Sequence, residues 1–156
     1  MDVKQLRKIA HVVRKQLKPL IINHPYAFDA NYGGACAISS YILTKVYSKF
    51  GITANLAIGQ YRNDSHAFVI VGEKIIDITA TQFSSRLPKT LVCSITDKCY
   101  NIEFKGKDAL YDLKHEWPND QRPSTYQYLI NKIIRNSIKE LNVTGVQKNI
   151  RRSPRF

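Results

Sequence analysis

Residues 65–80, SHAFVIVGEKIIDITA, constrain the fold of this chain more than any other stretch. Two runs of β-branched and aromatic residues flank Val71-Gly72-Glu73-Lys74, and Gly opening a two-residue loop suits a tight type II′ hairpin. With Gly72-Glu73 as the loop, Val71 pairs with Lys74, Phe68 with Asp77 and His66 with Thr79. His66, Phe68, Asp77 and Thr79 then share one face, with His66 and Asp77 as diagonal neighbours. A three-residue loop would place His66 and Asp77 on opposite faces. A carboxylate between Ile76 and Ile78 is costly unless it has a partner. The shorter loop provides one in His66.

Further strands are expected at residues 52–60, 90–96 and 99–104, the last two joined by a turn at Asp97-Lys98. Three helices are expected around them. Residues 2–18 space Val3, Leu6, Ala10, Val13 and Leu17 along one helical face, and Pro19 predicts the stop. Residues 36–50 carry Ile38, Tyr41, Ile42, Val46 and Phe50 between Gly33-Gly34 and Gly51. Residues 124–141 carry Tyr128, Leu129, Ile133, Ile134 and Leu141. With 156 residues, 44% of them apolar, and no internal repeat or linker, the chain reads as one domain over 1–147. Pro118 and Pro123 bracket a polar loop around Trp117, and residues 148–156, KNIRRSPRF, read as a basic flexible tail. The fold class expected is α+β: a helix packed on an antiparallel β-sheet, with further helices at the N- and C-terminal ends.

No run approaches the ~20 apolar residues of a membrane span. The first 18 residues are broken by charges every few positions, unlike a signal peptide. A cytoplasmic protein is therefore expected, with export as an effector left open. Cys36, Cys93 and Cys99 are few, odd in number and without metal-ligand spacing. They are expected to be reduced, and no metal or cofactor is expected. The charge is lopsided: 24 Lys and Arg against 12 Asp and Glu, a net of +12. Residues 1–20 hold 6 basic and 1 acidic residue, and residues 132–156 hold 7 and 1. Basic ends of this kind suit a polyanionic partner whose binding weakens steeply with salt, or simply a solvated surface.

Cys36 opens a predicted helix, where unpaired backbone N–H groups and the helix dipole favour a thiolate. A cysteine in a helix is also commonly a small buried hydrophobe. Joined by His66 and Asp77, it makes a nucleophile, a base and an orienting acid. The structural alternative is a buried His–Asp pair beside an inert thiol.

Gly34-Ala35-Cys36, Gly51-Ile52-Thr53-Ala54, His66-Ala67-Phe68-Val69 and Asp77-Ile78-Thr79 together resemble the core of the transglutaminase-like superfamily, relatives of the papain-like cysteine peptidases. The run from Asp77 to Phe83 is similar to small, mostly uncharacterised bacterial and phage members. The resemblance implies a Cys36–His66–Asp77 triad on a helix and an antiparallel sheet. Papain-like peptidases place an oxyanion-stabilising Gln shortly before the cysteine, and none stands there. Asn31, Tyr32 and Gly34 are candidates to line the oxyanion or substrate site, as is Gln82.

The function expected is cysteine-dependent acyl transfer on an amide of a protein or peptide: peptidase, deamidase or transglutaminase. The alternative is a non-catalytic binding module whose basic termini hold nucleic acid or an acidic partner.

Overall fold

Gly72 takes a φ of 58°, a left-handed conformation that costs little without a Cβ. It closes a two-residue turn between strands β2 (Asp64–Val71) and β3 (Lys74–Asp77). Val71 faces Lys74, Ile70 faces Ile75 and Val69 faces Ile76. This computed structural model describes residues 2–23, 35–61, 64–97, 103–104 and 124–146. Strands β1 (Asn55–Tyr61), β4 (Leu91–Ser94) and β5 (Glu103–Phe104) complete an antiparallel sheet in the order β4-β3-β2-β1-β5.

Strand β2 lies at the centre, and residues 66–71 are all buried. Val69 and Val71 join Ile76 in the larger apolar cluster, whereas Phe68 and Ile70 join Ala57 and Ile75 in a smaller one. A strand covered on both faces reads as a continuous apolar run rather than an alternating one. His66 stays in phase with Phe68 and Ile70, and Asp77 with Ile75, so both polar groups belong to the face of the smaller cluster.

The third strand is shorter than the expected 75–80. It stops at Asp77, whose Oδ1 accepts hydrogen bonds from the Thr79 backbone N–H at 2.7 Å and the Thr79 hydroxyl at 2.9 Å. Such local bonds offer the backbone an alternative to the ladder. The chain leaves the sheet there and enters a 3₁₀ turn at Ala80–Gln82, so Thr79 does not pair with His66 as a strand residue.

Four helices are described: α1 (Val3–Gln16), α2 (Lys18–Asn23), α3 (Cys36–Lys49) and α4 (Ser124–Val143). Asp2 caps α1 by accepting from the Lys4 N–H at 2.9 Å, and Leu6, Ile9, Ala10 and Val13 are buried beneath the helix. Pro19 does not simply end the helical run. It sits in the first turn of α2, where its missing N–H removes no intrahelical bond. Helix α3 packs against α1, α4, β1 and β2, so it is apolar on most sides. It ends in a Schellman motif: Gly51, at φ 69°, donates to the Ser48 carbonyl and Ile52 to that of Tyr47.

Helix α4 buries Ile130, Ile133 and Leu141, but Tyr128, expected on its apolar face, is exposed. Glu140 ties α4 to α1 by accepting from Lys15 at 3.1 Å and Gln16 at 2.9 Å. Lys4, Arg7, Lys8 and Lys15 of α1 and Lys132, Arg135 and Lys139 of α4 stand exposed on the outer surfaces. Among the described residues no helix is long and apolar enough to cross a membrane. The loop around Trp117 and the tail at 148–156 lie outside the described residues.

Candidate active site

The hairpin delivers two of the three expected side chains. His66 Nε2 lies 2.6 Å from Asp77 Oδ2, and both residues are 1% exposed. With Thr79 holding Oδ1 through two donors and His66 on Oδ2, both carboxylate oxygens are hydrogen-bonded. That environment favours its ionised form and fixes the Nε2–H tautomer of a neutral His66. Nδ1 is then the nitrogen left to exchange a proton.

Cys36 is the first residue of α3 and is partly exposed, whereas the histidine beneath it is sealed. Ala35 at the N-cap gives the helix no side-chain capping bond, so the first-turn N–H groups keep their donor capacity. Cys36 stands near enough to His66 to favour the charged form of the imidazole. Burial of the imidazole works against its charge. The Asp77 carboxylate, through its charge and its hydrogen bond, together with Cys36, outweighs that effect and raises His66 to about 9. A histidine in this setting takes up a proton readily, as the base beside a nucleophilic thiol must.

Gln82 ends the 3₁₀ turn, and its Nε2 lies 2.8 Å from His66 Nδ1. Gln82, a candidate to line the oxyanion or substrate site, thus stands against the base. Phe83 stands edge-on to the imidazole at a centroid distance of 4.6 Å, and Phe68 stacks at 6.3 Å. These rings exclude water from the face of His66.

Arg14 was missed. It is buried, 8% exposed, and its guanidinium donates to the Ile78 carbonyl and, at 3.0 Å, to the Thr81 hydroxyl. It thereby pins the segment between Asp77 and Gln82 to α1. Its position was readable, because Arg14 falls four residues after Ala10 and one after Val13, within the buried stripe of α1.

The expectation of three reduced thiols needs correction. Cys36 is free, but Cys93 of β4 is disulfide-bonded, to a partner outside the described residues. An odd cysteine count accommodates one pair and one free thiol, which an argument about dense disulfide frameworks overlooks. Asn31, Tyr32 and Gly34 also lie outside the described residues. Among the described residues no group of three or more His, Cys, Asp or Glu side chains could hold a metal ion.

Comparison with known proteins yields no match: no family model matches the chain, and neither does any curated protein or solved structure.

Proposed function

We propose that this protein is a cysteine-dependent acyl-transfer enzyme acting on an amide of a protein or peptide through Cys36, His66 and Asp77. The observation that carries the reading is His66: one nitrogen is fixed by Asp77 at 2.6 Å, and the free thiol that opens α3 is near enough to favour the ring's charged form. The motif resemblance to the transglutaminase-like superfamily supports the same assignment.

In the proposed reaction Nδ1 takes the proton of the Cys36 thiol, and Sγ attacks the amide carbon. The carbonyl oxygen becomes an oxyanion within reach of the uncapped N–H groups at the start of α3. Asp77 keeps the proton on Nε2 and offsets the imidazolium charge. Collapse breaks the C–N bond, Nδ1–H passes its proton to the leaving nitrogen, and the acyl group remains on Sγ as a thioester. Water or an amine, deprotonated by Nδ1, then attacks that thioester and releases Cys36. Water as acceptor makes a peptidase or deamidase, and an amine makes a transglutaminase. The exposed cations of α1 and α4 would draw in an acidic protein substrate.

The test is intact-mass analysis after exposure to amide- or peptide-based electrophilic probes. One adduct on the parent chain and none on a folded Cys36→Ala variant is expected. Equal labelling of both, or no labelling of either, would overturn the assignment.

A further inference from the structure

Nδ1 of His66 has two claimants. Nε2 is committed to Asp77, so proton exchange between His66 and Cys36 has to use Nδ1, and the Gln82 amide nitrogen lies 2.8 Å from that same atom. A neutral imidazole offers one in-plane lone pair there. An amide N–H occupying that lone pair denies it to the Cys36 thiol.

We propose that Gln82 is a displaceable cap on the proton-accepting nitrogen of His66, holding the base in the resting protein and yielding Nδ1 to Cys36 when a substrate enters. The inference rests on the acyl-transfer reading and makes Gln82 a positioning residue that acts through His66.

Several features make the cap movable. Gln82 is half-buried at the end of a one-turn 3₁₀ segment, whereas His66 and Asp77 are sealed. Its amide can turn about its last torsion or swing out of contact without disturbing the sheet. An entering amide substrate brings a carbonyl oxygen, which can accept the displaced N–H. Charged and titratable groups from several elements face His66 among the described residues. Asp77 comes from β3 and Cys36 from α3, while Arg14 of α1 acts at one remove through the Ile78 carbonyl and the Thr81 hydroxyl. The surrounding contacts from Phe68 and Phe83 are apolar.

Donation by Gln82 favours the neutral imidazole over the imidazolium–thiolate pair. Removing it has an opposite sign to damage elsewhere in the site: the thiol becomes more reactive. The experiment is the pH profile of Cys36 alkylation by iodoacetamide in the parent, Gln82→Met, Gln82→Asn and His66→Ala proteins, each checked for folding by thermal melting. Met keeps the side-chain length without an amide, and Asn withdraws the amide from Nδ1. Both are expected to shift the profile to lower pH, labelling about threefold to tenfold faster on its acidic limb, the range of one hydrogen bond. Profiles that superimpose on the parent, or that shift to higher pH, would overturn the cap while leaving the triad standing. Indifference of the parent profile to His66→Ala would overturn the triad itself. If Gln82→Met melts early, Gln82→Asn decides the matter by the same criterion.

Discussion

Asp77→Asn perturbs the site with the least change of shape. Asp77 accepts from His66 Nε2 at Oδ2, and from the Thr79 N–H and hydroxyl at Oδ1. Asparagine has a single carbonyl oxygen to offer. Both Thr79 donors converge on one side, so the favoured amide leaves its oxygen with Thr79 and turns its NH₂ toward His66. Two donors then meet at Nε2, and a neutral imidazole escapes by moving its proton to Nδ1. In that tautomer Nδ1 can no longer take the Cys36 proton. The bond lost is charge-assisted, about 1.5–3 kcal/mol, which corresponds to about 1–2 pH units. Iodoacetamide labelling of Cys36, followed by intact mass across pH, is expected to shift upward by that amount. On the acidic limb it should slow about 10- to 100-fold. Thermal unfolding of the same variant should show a loss of ~1–3 kcal/mol without collapse of the fold. A folded Asp77→Asn protein whose labelling profile matches the parent would refute the tautomer argument.

Two further outcomes are expected. His66 is raised to about 9 from the ordinary 6.5, so its contribution to stability is fully present below ~6.5. That contribution declines through the window up to about 9 and is gone above it; urea midpoints of the parent and His66→Gln should therefore converge as pH rises, and a constant gap would contradict the shift. Arg14→Met leaves the buried Ile78 carbonyl without that donor and should cost about 1–3 kcal/mol by urea denaturation while slowing Cys36 labelling. Arg14→Lys should rescue little, because one ammonium cannot reproduce the paired reach to Ile78 and Thr81. Unchanged stability in both variants would remove Arg14 from the site's support.

The hairpin was legible because its instructions are local: a Gly-led two-residue turn sets the register, and the register sets which side chains share a face. Cys36 was legible for a similar reason, standing where glycines give way to a helical pattern. What escaped the sequence depends on contacts between distant segments. The end of β3 is decided by Thr79 competing for the backbone, which strand propensity over 75–80 does not register. The burial of Arg14 depends on a carbonyl that comes 64 residues later. Gln82 reads from the sequence as a polar group near the site, but its contact with His66 Nδ1 depends on three-dimensional placement. Tyr128 fitted the apolar stripe of α4 by spacing and yet faces outward, since the stripe that meets the core runs through Ile130, Ile133 and Leu141.

The reach of Arg14 also sets an order of assembly. His66 and Asp77 are 11 residues apart and meet when one tight turn closes, whereas Arg14 and Ile78 are 64 apart. Closing the longer loop costs about 1.6 kcal/mol more chain entropy. The base and its acid are thus joined early, by the hairpin alone. The segment that carries Gln82 is locked down only after α1 has docked. Until then the His66–Asp77 pair exists without its finished surroundings, and the contact that steadies the site closes a longer loop than the pair it serves.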